Sequence, residues 1–100
     1  MAIVEVSIAP LLGLSDTSLS EYVADAIKIL EKSGLQFQLT SMGTIIEGDL
    51  DDILGTIREM HESPYKKGMK RVVTSIKIDD RRDKAATCEG KVESVRKKME

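Results

Sequence analysis

The sequence predicts an α+β domain in which two helices cover one face of a four-stranded antiparallel sheet and a third helix follows. The 100-residue chain can form one hydrophobic core but not two, so we expect a single domain over residues 1–100. Apolar residues recur at every second position in four segments and at helical spacing in three others. The segments run strand, helix, strand, strand, helix, strand, helix. With short connections and right-handed crossovers, the first six have the βαββαβ order of the ferredoxin-like sandwich.

The first strand and first helix are recognised by their apolar spacing. Ile3–Ala9 alternates in period two, and Pro10 ends it. Gly13–Ser18 is predicted to form a turn, and Ser18 with Glu21 has the Ser-x-x-Glu spacing of a capping box. One face of the helix that follows is predicted to be apolar, formed by Leu19, Val23, Ala26, Ile27 and Leu30.

The next two strands are predicted to form a hairpin. Gly34 is suited to end the first helix. Gln36–Met42 and Thr44–Gly48 both alternate, and Gly43 stands between them at a tight link.

A second helix, a fourth strand and a third helix complete the order. Asp49 or Asp51 is predicted to cap the second helix, and Pro64 limits its length. Its predicted apolar stripe consists of Ile53, Leu54, Ile57 and Met60. Arg71–Asp79 is the clearest strand of the chain. The last helix, from about Asp83, aligns Cys88, Val92, Val95 and Met99 on one side.

Composition excludes several functions. A formal net charge of -2 gives no surplus of Lys and Arg for a nucleic-acid partner. The start, Met1–Glu5, lacks the basic region of a signal peptide, and no apolar run is long enough to span a membrane. Cys88 is the only cysteine, so an internal disulfide is excluded and a reducing cytoplasm is expected. The absence of Asn beside abundant Lys and Glu favours a thermophilic source.

The face of the sheet away from the helices, here called the open face, has a mixed character. Period-two alternation is predicted to place on it Glu5, Ser7, Gln38, Thr40, Met42, Ile45, Glu47, Val73, Ser75 and Lys77. Three interpretations stay open: a half-solvated sheet, an interface between copies, and a small-molecule site.

Several activities known for this fold lack their residues. RNA-binding versions need aromatic rings on the open face, acylphosphatases need an Asn, and metallochaperones need two thiols. His61 is expected on the solvent side of the second helix, and Cys88 is expected to pack as a small hydrophobe. No catalytic constellation is found, so the sequence predicts neither an enzyme nor a metal site. The charged run Asp79–Lys84 is expected to pair internally or to cap the last helix, or else to serve as an inter-subunit contact or an anion site.

Three blocks of the chain, 41–49, 57–61 and 71–84, resemble the small thiamine-binding protein family, which is related to the YkoF proteins. The blocks read SMGTIIEGD, IREMH and RVVTSIKIDDRRDK, and Ser41 stands where the family usually has Pro. The resemblance implies a ferredoxin-like subunit that assembles through its sheets into dimers and usually tetramers. It also implies a thiamine-like ligand near the open face, no catalysis and no further cofactor.

The chemistry of such a ligand selects candidate residues. An aminopyrimidine takes a carboxylate, hydroxyl or backbone partners and an apolar slot, and the thiazolium ring adds a positive charge. Glu47 is the first candidate because it is the strand carboxylate inside block 41–49, and Glu5 is the second. The other ligand-binding candidates are Ser7, Thr40, Thr44 and Ser75 for their hydroxyls, Met42 and Ile45 for the slot, and Lys77.

Two other interpretations compete with ligand binding. Glu47 could form a salt bridge with Lys77 or across an interface. The whole chain could be a structural or ACT-like regulatory homo-oligomer whose open face is an interface with no thiamine site.

Overall fold

The structure, a computed structural model, describes residues 1–11 and 19–100 and confirms the predicted fold class. Its elements are β1 (Ala2–Pro10), α1 (Ser20–Ser33), β2 (Gln36–Thr40), β3 (Gly43–Gly48), α2 (Leu50–Glu62), a 3₁₀ turn (Ser63–Lys67), β4 (Val72–Asp80) and α3 (Cys88–Met99). The strands form one antiparallel sheet in the order β2-β3-β1-β4. The predicted turn Gly13–Ser18, with its capping residue Ser18, lies outside the described residues.

The register of the central strands fixes which side chains meet the helices. Val4 lies opposite Ile46 on β3 and Ile78 on β4, and Val6 lies opposite Thr44 and Ile76. Residues directly opposite share a face, so these side chains point toward α1 and α2. The buried core comprises Ala2, Val4, Val6, Ala26, Leu30, Ile46, Ile53, Ile57 and Met60.

The two covering helices begin and end largely as predicted. Asp49 caps α2 by accepting a hydrogen bond from the backbone N–H of Asp52 at 3.2 Å. Gly34 ends α1 with φ of 77°, a conformation that suits glycine. The residue at the start of α1 is Leu19, whose side chain makes no capping hydrogen bond within the described chain.

The predicted apolar faces were partly wrong. On α2, Leu54 is 37% exposed because only its neighbours on the Ile53–Ile57 side reach the sheet. On α1, Ala26 and Leu30 are buried, whereas Leu19 and Val23 are 47% and 38% exposed. That end of α1 stands beside a cavity instead of packed strand residues.

Strand β4 is more exposed than predicted, and helix α3 is shorter than predicted. Ile76 and Ile78 point to the helix side, yet each is 44% exposed because β4 is an edge strand that the helices barely reach. The third helix begins at Cys88, not near Asp83, because Thr87 supplies the cap by accepting the Gly90 N–H at 2.9 Å. The charged run Asp79–Lys84, just before this helix, pairs internally, which was the first of the two expectations for it. Arg81 forms an ion pair with Asp83, and Arg82 forms one with Asp80.

Candidate functional site

The register confirms the face of most candidate residues. Glu5 lies opposite Ile45 on one side and Lys77 on the other, and Ser7 lies opposite Ser75. Glu47 lies opposite Ile3. These side chains all belong to the open face.

Thr44 is the exception. It lies opposite Val6 and Leu39, which places it on the helix-facing side, and it is only 6% exposed. The even spacing between Thr44 and the core residue Ile46 is the sequence signal that predicts this face.

The candidate residues divide among three cavities. Ser7, Thr40, Met42 and Thr44 border a cavity of about 270 Å³ between α1 and the β2–β3 hairpin, here called the hairpin cavity. Ile45 and Glu47 border a groove of about 600 Å³ between α3 and the edge of the open face, here called the α3 groove. Glu5, Ile45 and Lys77 border a cleft of about 230 Å³ on the other side of β3. Ser75 lines none of these three.

The hairpin cavity is walled mainly by apolar side chains. Those contributed by helices and strands are Val6, Ile8, Ala9, Tyr22, Val23, Ala26, Ile27, Leu39 and Met60, and Leu19 lies just before α1. Concave apolar sites with a few polar groups are the usual form of small-molecule sites. The sequence did not predict that α1 lines this cavity, because the apolar spacing of Val23 and Ile27 indicated a face packed against the sheet.

One edge of β1 is unpaired at this cavity. β1 pairs with β4 over Ala2–Pro10 but with β3 only over Ala2–Val6. Within the described chain, the backbone of Ser7–Pro10 therefore has no strand partner on the side of the hairpin. Since buried backbone groups are almost always paired, these groups are suited to bind a ligand or water.

The hairpin tip is fixed by Thr40 and Gly43. The Thr40 hydroxyl donates to the Gly43 carbonyl at 2.8 Å and accepts from the Met42 N–H at 3.2 Å. A Cβ on Gly43 would lie 2.8 Å from the carbonyl oxygen of Val6, so the close approach of the two strands requires glycine. Met42 at the tip is 82% exposed.

Lys67 anchors the α1 wall of the hairpin cavity. Its Nζ lies 2.7 Å from carboxylate oxygens of both Asp25 and Glu21, and 5.6 Å from the centre of the Tyr22 ring. Hydrogen bonds to Asp25 and then Glu21 raise the pKa of the Lys67 ammonium. These contacts tie α1 to the 3₁₀ turn.

The α3 groove has three carboxylates in its lining, from Glu47, Glu89 and Glu93, and one guanidinium, from Arg96. Glu47 accepts a hydrogen bond from the backbone N–H of Cys88 at 3.2 Å. Burial first, and the charge of Glu47 second, raise the pKa of the Cys88 thiol. Cys88 is half-buried at the start of α3.

The salt bridge considered between Glu47 and Lys77 is not formed. β1 separates the two strands that carry these residues. The ion pair across this region of the sheet joins Lys91 of α3 to Asp79.

His61 does not face solvent freely, contrary to expectation. It is half-buried, its Nδ1 lies 2.6 Å from the Thr74 hydroxyl, and its ring packs edge-on against Tyr65. No cluster of three metal-binding side chains occurs in residues 1–11 and 19–100. None of the helices described is long and apolar enough to cross a membrane.

Comparison with known proteins gives one consistent result. A family model described as "Thiamine-binding protein" matches residues 4–96. The UPF0045 protein YqgV of Bacillus subtilis is 49% identical over 104 aligned residues, covering 100% of this chain and 99% of that protein. The crystal structure of protein MJ1052 of Methanocaldococcus jannaschii superposes with a TM-score of 0.83 at 42% identity, covering 94% of each chain. A Thermotoga maritima protein proposed to act in thiamine biosynthesis or salvage shares the fold, with a TM-score of 0.75 and 24% identity over 94% of this chain and 97% of that one.

Proposed function

The chain belongs to the thiamine-binding protein family, and from this premise we propose that it binds thiamine, or the hydroxymethylpyrimidine part of thiamine, without catalysing a reaction. The ligand is a small molecule with one neutral aromatic ring and, in thiamine itself, one cationic ring.

The hairpin cavity is the proposed site of the pyrimidine ring. The observation that supports it is an unpaired strand edge beside a hydroxyl in one apolar cavity. Thr44, which is 6% exposed, borders this cavity, and within the described chain the backbone of Ser7–Pro10 has no strand partner on the side of the hairpin. An aminopyrimidine carries a donor amine beside acceptor ring nitrogens, which is the pattern that a strand edge can pair with.

The α3 groove is the alternative position for the ligand, and its charge favours thiamine with its cationic ring over the free pyrimidine. Glu47, Glu89 and Glu93 outnumber Arg96 in the lining of this groove, which gives it the negative charge that the hairpin cavity lacks among its described lining residues. Thr44 and Glu47 are roughly 10 Å apart along β3 and on opposite faces, so one pyrimidine ring cannot contact both. Glu5, Ile45, Ser75 and Lys77 are proposed only for this open-face position.

Titration calorimetry with two variants tests both the function and the site. Wild-type protein is titrated with thiamine, free hydroxymethylpyrimidine and thiamine diphosphate, and we expect a Kd in the micromolar range or below for at least one. Thr44→Val keeps the shape of the side chain and should weaken binding at least tenfold, about 1.4 kcal/mol. Glu47→Gln should change the affinity for the free pyrimidine less than twofold.

Other outcomes of the calorimetry would move the pyrimidine site or reject thiamine binding. If Glu47→Gln weakens binding of the free pyrimidine tenfold and Thr44→Val does not, the pyrimidine site is the α3 groove. If no compound gives heat or a change in melting temperature, the thiamine proposal is wrong. The chain would then be better described as a structural or ACT-like regulatory oligomer.

We also propose that the protein is a cytoplasmic homo-oligomer, a dimer or a dimer of dimers. Support comes from apolar side chains exposed along the edge strand β4: Val73 is 46% exposed, and Ile76 and Ile78 are each 44% exposed. Light scattering after size-exclusion chromatography gives the mass that tests it.

A further inference from the structure

The backbone groups of β1 point to its two neighbouring strands at alternate residues. The Leu11 N–H, just past the end of β1, donates to the Arg71 carbonyl on the β4 side at 2.9 Å. A Cβ on Gly43 would lie 2.8 Å from the Val6 carbonyl oxygen, so this oxygen points to the hairpin side. In a strand between two antiparallel neighbours, the N–H and C=O of one residue point to the same side, and those of the next residue point to the other. Odd-numbered residues of β1 therefore direct their backbone groups to β4, and even-numbered residues direct theirs to the hairpin.

This alternation identifies the free backbone groups at the hairpin cavity, which Ser7, Ile8 and Ala9 line. The ladder with β3 ends at Val6, so within the described chain no strand meets the N–H and C=O of Ile8. Pro10 also faces the hairpin side, but proline has no N–H. Beyond the ladder, the described strand β1 therefore offers one donor on this side, the Ile8 N–H, beside the carbonyl oxygens of Ile8 and Pro10.

An edge with one donor among several acceptors distinguishes between pyrimidines. A 4-aminopyrimidine presents a ring nitrogen that accepts, beside an amine with two N–H donors. The ring nitrogen can accept from the Ile8 N–H while the amine donates to the Ile8 C=O, and the second amine hydrogen still meets an edge rich in acceptors. A 4-oxopyrimidine presents a ring N–H beside an oxygen, and the second lone pair of that oxygen finds no donor left on this edge. Polar groups left unpaired in this way make a site reject a close analogue.

We propose that the backbone of Ile8 binds the amine-bearing edge of the pyrimidine, and that Pro10, which lacks a second donor, makes the hairpin cavity selective for 4-aminopyrimidines over 4-oxopyrimidines. The selectivity rests on the proposed function, and it adds the atoms that distinguish the ligand from its analogues.

Two related compounds test the selectivity. Oxythiamine carries an oxo group where thiamine carries the 4-amino group, and the two compounds are otherwise alike. In titration calorimetry, the wild-type protein should bind thiamine about tenfold or more tightly than oxythiamine. Pro10→Ala adds an N–H to the same edge and should reduce this ratio by about threefold or more. Circular dichroism before the titration establishes that the variant is folded.

Amide hydrogen exchange followed by NMR tests the assignment of the backbone groups. Without ligand, the amides of Ser7 and Ala9 point to β4 and should exchange slowly, whereas the Ile8 amide should exchange about tenfold faster or more. Saturating thiamine should slow exchange at Ile8 far more than at Ser7 and Ala9. The two flanking amides are matched controls within the same strand.

The outcomes separate this inference from the proposed function. If neither thiamine nor free hydroxymethylpyrimidine binds, the proposed function fails and the selectivity fails with it. If thiamine binds but oxythiamine binds equally well, or if bound thiamine leaves the Ile8 amide unprotected, thiamine binding stands and only this inference is overturned. A folded Pro10→Ala variant that keeps the wild-type ratio overturns the role of Pro10.

Discussion

Thr44 and Glu47 lie three residues apart on β3 and face opposite sides of the sheet. Thr44 faces α1 across a neutral, apolar cavity, whereas Glu47 faces α3 across an acidic groove. One short strand therefore separates two environments of different chemistry. The first suits a neutral ring that forms hydrogen bonds, and the second suits a cationic ring. Since one methylene joins the two rings of thiamine, a single molecule cannot place one ring on each side of the sheet, and the two cavities are alternative sites.

Two glycines should respond in opposite directions to alanine. A Cβ on Gly43 would meet the Val6 carbonyl oxygen at 2.8 Å, so Gly43→Ala must push the strands apart and should destabilise the fold by about 1–3 kcal/mol. A Cβ on Gly55, inside α2, meets nothing within 4 Å, so Gly55→Ala should stabilise by about 0.5–1 kcal/mol. Urea unfolding followed by circular dichroism measures both. Equal effects would contradict the hairpin geometry.

Neighbouring residues on α2 should differ sharply in their contribution to stability. Ile53 is fully buried, so Ile53→Ala should cost about 2–5 kcal/mol in the free energy of unfolding. Leu54 is 37% exposed, so Leu54→Ala should cost no more than about 1.5 kcal/mol. Chemical denaturation of the pair measures the difference, and a larger cost at Leu54 would mean that α2 is rotated.

The sequence could predict the faces of the sheet better than the cavities. The alternation of side chains along a strand is a local property, so the sequence correctly predicts that Val4, Val6 and Ile46 face the helices. Thr44 was not assigned to the open face, but its hydroxyl was named as a candidate for a ligand there, although its spacing from Ile46 indicates the other face. The hairpin cavity depends on how far α1 lies from the hairpin and on β1 extending past β3. Both features depend on contacts between residues far apart in the sequence, and local apolar spacing does not predict them.

Ser63 should be one of the few positions where removing a hydroxyl stabilises the protein. Its Oγ is buried without a hydrogen-bond partner in the described chain, so Ser63→Ala removes an unsatisfied group and should stabilise by about 1 kcal/mol. Ser33 is the matched control, because its hydroxyl donates to the Leu30 carbonyl at 2.6 Å and accepts from the Leu35 N–H at 3.1 Å. Ser33→Ala should destabilise by about 1 kcal/mol. Thermal and urea unfolding of both variants provide the measurement.

The thiol of Cys88 should react slowly at neutral pH. Burial, and then the negative charge of Glu47, raise its pKa, so less of the reactive thiolate is present at a given pH than in the unfolded chain. Iodoacetamide labelling followed by mass spectrometry should therefore be slower for the folded protein than for the same protein in concentrated urea. The midpoint of its pH profile should also be higher.

Substitution of the neighbouring charged residues separates the effects of burial and of charge on the pKa of the Cys88 thiol. Glu47→Gln removes the repulsive charge and should speed labelling at fixed pH, whereas Lys91→Met removes a charge that lowers the thiol pKa and should slow it. Because the folded protein holds the thiol proton more tightly, stability should fall as pH rises from the thiol pKa of the unfolded chain through the higher pKa of the folded one. Glu47→Gln should reduce that alkaline loss. Labelling of Glu47→Gln at the wild-type rate would show that burial alone sets the reactivity of Cys88 and that the Glu47 carboxylate does not act on the thiol.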